Sequence, residues 1–150
     1  MNNVTFQAEG VEKPEIRYDV LSNWIKAVAD SYGKVVGSIN YIFLNDEGII
    51  RVNREFLQHD YYTDIITFDY SRRRSISGDI YISLDTVRFN ADQLGCDYAD
   101  ELYRVIIHGV LHLCGINDKG PGEREIMEVN EDKALTLLRQ NFREGYCKVL

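Results

Sequence analysis

The chain has 150 residues, 45% hydrophobic and 27% charged, enough to bury one core without disulfide or metal staples and the composition of an ordinary globular protein. A net charge of −7, from 24 acidic against 17 basic residues, argues against broad polyanion binding but does not exclude a local basic patch, for which the run Arg72-Arg73-Arg74 is the obvious candidate. Three unpaired-looking cysteines (Cys96, Cys114, Cys147), no basic n-region followed by an apolar h-region, and no run approaching 18 apolar residues argue against a disulfide scaffold, a secretory leader and a membrane span. One domain over residues 1–150, in a reducing cytoplasm, is the expectation.

In chain order, Val4 to Ala8 alternates in part and predicts a first strand. Arg17 to Ser31 predicts a helix, with Val20, Leu21, Trp24, Ile25 and Val28 on one side and Gly33 as its stop. Lys34 to Leu44, rich in Val, Ile, Tyr and Phe, predicts a strand. Asn45 is placed to cap a helix from about Asp46 to Gln58. Ile65 to Tyr70 and Asp79 to Leu84 predict two more strands, joined through the polar, basic Ser71 to Gly78 by a hairpin or longer loop. Asp85 is read as the cap of a helix reaching Gln93. A second helix is expected over Tyr98 to Cys114, ended by Gly115. A last one is expected over Glu123 to Arg139, with Ile126, Val129, Ala134 and Leu137 as its buried stripe. Strands early and helices late predict an α+β fold: a small mixed sheet of about four strands with helices packed on one face.

The chemistry concentrates in His108-Gly-Val-Leu-His112-Leu-Cys-Gly115-Ile-Asn-Asp118. Two histidines four apart on a helix lie one turn apart on the same face and can reach one ion. Gly115 ends that helix, so Asp118 can swing back toward the same point. Two imidazoles and a carboxylate suit zinc or a similar first-row metal, and three protein ligands leave a position open for water. The plainer alternatives are a chance His pair, a solvated turn aspartate at Asp118 and, for Cys114, a small buried hydrophobe. Gly109 costs roughly 1 kcal/mol against alanine inside a helix, which suggests close backbone approach or substrate access there.

This segment resembles the HGxLHLxGxxH signature of the YbeY family of metal-dependent endoribonucleases. Three upstream blocks fit in order and spacing: Thr63-Asp64-Ile65-Ile66-Thr67-Phe68 resembles the family's TDVLSF strand, Gly78-Asp79-Ile80-Tyr81-Ile82-Ser83 its GDIxIS strand, and Asn53 to Asp60 the helix before them. The resemblance implies a small mixed sheet with helices, one divalent ion (zinc) and single-stranded RNA as substrate. It further implies a role in ribosomal RNA processing, namely late small-subunit rRNA 3′-end maturation and ribosome quality control. The implied partners are ribosomal RNA and the small subunit or its assembly proteins, with no membrane and no nucleotide cofactor. By position, His108, His112 and Asp118 would be the metal ligands. Asp118 replaces the usual third histidine, adding negative charge. Leu57 stands where the family carries a phosphate-contacting arginine; Arg54, one turn earlier, or Arg72 to Arg74 would have to replace it.

The reaction expected from such a site is phosphodiester hydrolysis, with His108 and His112 at its centre. Asp64 and Asp79 are each either a partner of a ligand histidine or a turn carboxylate. Trp24 and Tyr61-Tyr62 read as packing residues, with base stacking as the alternative, and His59 as a surface residue. Two other functions compete: a ribosome-assembly binding factor with a structural metal, and a metal hydrolase of another substrate. A peptidase of the HExxH type lacks its glutamate, because Gly109 follows the first histidine.

Overall fold

A computed structural model describes residues 3–57 and 63–142. His59, Tyr61, Tyr62 and Cys147 lie outside the described residues. The elements run β1 (Val4–Ala8), α1 (Tyr18–Ser31), β2 (Val35–Leu44), α2 (Asp46–Val52) continued by a π-helical turn (Asn53–Leu57), β3 (Ile65–Asp69), β4 (Ser75–Ser83), α3 (Leu84–Leu94), α4 (Tyr98–Leu113) and α5 (Glu123–Asn141). The sheet order is β1-β2-β4-β3. β1 with β2 and β2 with β4 are parallel, and β3 runs antiparallel to β4 as an edge strand. The α+β mixed sheet of four strands is therefore as the sequence predicts.

Alternation along the strands sends two sets of side chains to opposite faces. Tyr41, Phe43, Ile80 and Ile82 meet Leu21, Trp24 and Ile25 of α1, Val87 of α3, and the inner faces of α4 and α5 in the main core. Ile42, Leu44 and Ile66 point the other way and pack under Ile49 of α2. This corrects the expectation of helices on one face: α2 covers part of the second. Val36 and Ile39 both enter the main core although their spacing is odd, because the register with β4 shifts between them. Gly37 makes room there, since a Cβ at that position would stand 2.4 Å from Ser77 Oγ, which accepts from Ser38 N at 3.0 Å. Those serines read as loop in the sequence, so β4 begins at Ser75 rather than Asp79.

Two further corrections concern α3 and α5. The cap of α3 is Ser83, whose Oγ accepts from Thr86 N at 3.3 Å; Asp85 instead accepts from Asp46 N at 3.0 Å, serving the start of α2. Asn45 caps α2 as expected, accepting from Gly48 N at 2.8 Å. In α5 the buried stripe is Met127, Glu131, Ala134, Leu135 and Leu138, while Ile126 and Val129 are more than half exposed. The stripe is rotated because it carries a glutamate inward.

Helix α4 lies close over β4. Tyr41 OH donates to Ile106 O at 2.7 Å, and a Cβ on Gly109 would stand 2.8 Å from Ile80 Cδ1 and 3.3 Å from Ile65 Cδ1. Gly109→Ala gains about 1 kcal/mol of helix propensity but overpacks a filled layer, which costs roughly 1–3 kcal/mol. We expect a net loss of about 1 kcal/mol, read as a lower denaturant midpoint at unchanged slope. A variant at least as stable as the wild type would show that Ile80 yields freely.

Candidate active site

A cleft of about 880 Å³ opens between α4, α5, the edge strand β3, the π-helical turn and the loop carrying Asp118. Along α4 it is lined by Glu101, Arg104, Val105, His108 and His112, residues three or four apart and hence on one face. Helix α5 contributes Arg124, Met127, Glu131 and Leu135, and the start of β3 contributes Thr63 to Thr67. Gly115, at φ 100°, takes the left-handed turn that ends α4 and returns the chain toward His108.

Both ring nitrogens of His108 have a carboxylate neighbour. Its Nδ1 lies 2.7 Å from Glu131 Oε2, and its Nε2 lies 3.3 Å from Asp118 Oδ2. Arg104 Nη1 donates to Glu131 Oε1 at 2.7 Å and Nη2 to Asp132 Oδ1 at 2.6 Å. Burial pulls the His108 pKa down, but the Glu131 hydrogen bond and charge, with Asp118 and Asp64, outweigh it and leave the imidazole above its ordinary value.

Asp64 also lines the cleft. Burial pushes its carboxyl above the usual carboxylate range, against the pull of His108. Its Oδ2 accepts from Asn90 Nδ2 at 3.5 Å. Asp79 sits elsewhere: it accepts from Asn40 Nδ2 at 3.0 Å, on the sheet face away from α4, and is no partner of either histidine. The partner is Glu131, which the stripe expected from the sequence for the last helix (Ile126, Val129, Ala134, Leu137) leaves out.

Leu57 and Asn53 line the cleft, whereas Arg54 is exposed and is not among the lining residues. Arg72 to Arg74 form the exposed hairpin tip between β3 and β4, where Arg74 Nε donates to Gly33 O at 3.1 Å. Among the described residues, the cations that line the cleft are Arg104, Lys119, Arg124 and Arg139. Trp24 is fully buried and its Nε1 donates to Ala134 O at 2.8 Å, so it packs rather than stacks on a base. Cys114 is part-buried, and burial pushes its thiol to about 11, so it does not offer a thiolate.

Two ligands of a tetrahedral ion with bonds of about 2.0 Å stand about 3.3 Å apart, the separation of His108 Nε2 and Asp118 Oδ2. A carboxylate on the far ring nitrogen, as Glu131 provides, is the usual support of a metal-binding histidine. His112 lines the same cleft one turn on. Among the described residues, no three His, Cys, Asp or Glu side chains stand closed on a common point that would hold a metal. The structure thus gathers the His108–Asp118 pair and leaves His112 beside it.

Glu101, 7% exposed, gives the site a pH signature. Burial raises its pKa, and Asp64 and Glu131 raise it further, while Arg104 opposes them. The folded state therefore binds this proton more tightly than the unfolded chain. The linked stability is present below the ordinary value of 4.5 and is lost as pH rises through the folded value. Glu101→Gln should accordingly raise the melting temperature at pH 7, with the gain vanishing on acidification toward pH 4. A difference that does not change with pH would refute this.

The chain is similar to known proteins over nearly its whole length. The family model for Endoribonuclease YbeY matches residues 5–139. The chain is 61% identical to Endoribonuclease YbeY of Parabacteroides distasonis over 93% of its own length and 99% of the relative's. It is 65% identical to that of Bacteroides thetaiotaomicron, over 89% and 98%. The solution structure of a Thermotoga maritima protein, 24% identical, superposes with a TM-score of 0.62 over 92% of this chain and 93% of that one, a likeness of fold. No described helix is long and apolar enough to cross a membrane. On the family match and these relatives together, the chain belongs to the YbeY endoribonuclease family.

Proposed function

We propose that the protein is a metal-dependent, single-strand-specific endoribonuclease of ribosomal RNA, acting in small-subunit rRNA 3′-end maturation and ribosome quality control. The observation that carries this reading is the approach of His108 Nε2 to Asp118 Oδ2 at 3.3 Å, with the far nitrogen backed by Glu131. His108, His112 and Asp118 would hold one divalent ion, zinc in this reading, with His112 turning in to complete the set. When bound, such an ion supplies a more acidic water and a Lewis acid for a phosphoryl oxygen.

The chain's own residues do the rest. Asp64 lines the cleft, and with its carboxyl pKa raised by burial it would take a proton from the attacking water. Lys119 and Arg124, exposed at the cleft wall, offer charge to the phosphates flanking the scissile bond, the task that Leu57 cannot perform. Arg54, exposed outside the lining, is left to a more distant phosphate of a bound strand. An acidic protein needs such local cations to hold a polyanion at all.

The test is to incubate the purified protein with a structured precursor of small-subunit ribosomal RNA, with and without a chelator. Endonucleolytic products that disappear with chelator and return with added zinc support the reading. Binding of ribosome precursors without cleavage under either condition would replace it with an assembly role.

A further inference from the structure

Glu131 is 7% exposed on the inner face of α5, and both its oxygens are committed. Oε1 accepts from Arg104 Nη1 at 2.7 Å, and Oε2 meets His108 Nδ1 at 2.7 Å. Arg104 is held from its other nitrogen by Asp132 Oδ1 at 2.6 Å. We propose that Glu131, locked in place by Arg104, is a positioning residue that fixes the tautomer of His108 and so keeps its Nε2 lone pair turned to Asp118. The use of that lone pair rests on the metal reading above.

A guanidinium only donates and an ionised carboxylate only accepts. With Oε1 taken by Arg104, Oε2 can only accept, so a neutral His108 must carry its proton on Nδ1. Its Nε2 is then an acceptor facing another acceptor, Asp118 Oδ2, across 3.3 Å. Two acceptors at that distance repel unless a cation or a proton stands between them. The Arg104–Glu131 pair thus prepares a cation-seeking arrangement through residues that never touch the cation.

Glu131→Gln isolates this logic, because it keeps the shape and changes only the inventory. Arg104, donor only, draws the glutamine oxygen to itself. The amide NH₂ then faces His108 Nδ1, which must accept, and the ring proton moves to Nε2. The experiment is ¹⁵N NMR of the histidine rings in the metal-free full chain at alkaline pH, together with zinc affinity by chelator competition. Wild type is expected to show the Nδ1–H tautomer at His108 and Glu131→Gln the Nε2–H tautomer. Zinc affinity should fall about 10- to 100-fold, the usual effect of losing such a partner.

Adding Arg104→Met to Glu131→Gln frees the amide to turn its oxygen back. The double variant should regain the Nδ1–H tautomer and part of the affinity, which no general loss of stability would produce. An unchanged tautomer in Glu131→Gln overturns the inference, as does a switched tautomer with unchanged zinc affinity. Failure of the wild type to bind zinc would instead sink the metal reading, and the tautomer comparison would still decide the role of Glu131.

Discussion

His112→Ala is expected to reduce RNA cleavage by about 10³-fold or more while leaving the fold intact. The side chain lines the cleft and is only part-buried, so its removal opens little void in the core. In the proposed ligand set its loss would leave two protein ligands, too few to hold a labile first-row ion against solvent. Lewis-acid stabilisation of a phosphoryl transition state contributes several kcal/mol, and each ~1.4 kcal/mol is tenfold in rate. Single-turnover cleavage of the RNA precursor, alongside thermal melts, checks this. Cleavage within tenfold of wild type at unchanged melting temperature would remove His112 from the site.

Trp24→Ala is the second large effect, and it acts through the fold. Trp24 is fully buried among α1, the sheet and α5, and its indole Nε1 ties α1 to Ala134 O of α5. Deleting a buried tryptophan costs about 3–5 kcal/mol, a large share of the ~5–15 kcal/mol that holds a domain together. The same helix α5 presents Glu131 to His108 one turn before Ala134. The variant should therefore lose zinc affinity along with stability. Trp24→Phe, which keeps most of the ring volume and loses the hydrogen bond, should sit between. Denaturant unfolding measures the first effect and chelator competition the second. Full stability in Trp24→Ala would contradict the packing account.

The parts legible in the sequence were those with local signals. Strand β1, helices α1 and α4, the Asn45 cap and the Gly115 turn follow from periodicity and capping chemistry. The His108–His112 pair on one helix face, with a carboxylate returning after Gly115, could be read from spacing alone, and the matching of upstream blocks gave it weight. What was hidden depended on tertiary context. The apolar pattern alone picks Ile126, Val129, Ala134 and Leu137 in α5 and passes over Glu131. The true stripe, Met127, Glu131, Ala134, Leu135 and Leu138, has sound helical spacing, and a lone acid within it was the available signal. The serines of β4 look like loop until the Gly37 shift opposite them is seen. The placement of α2 on the second sheet face depends on Ile42, Leu44 and Ile66 converging from two strands, which no local pattern reveals.

In the proposed function, cleavage depends on one ion held by His108, His112 and Asp118 together. The most direct measurement is native mass spectrometry of the purified protein paired with the cleavage assay on the same sample. One divalent ion per chain is expected in the wild type, with activity proportional to occupancy, none in His108→Ala, and reduced occupancy in Asp118→Asn. A metal-free wild type that cleaves RNA at full rate, or full occupancy in His108→Ala, would contradict it.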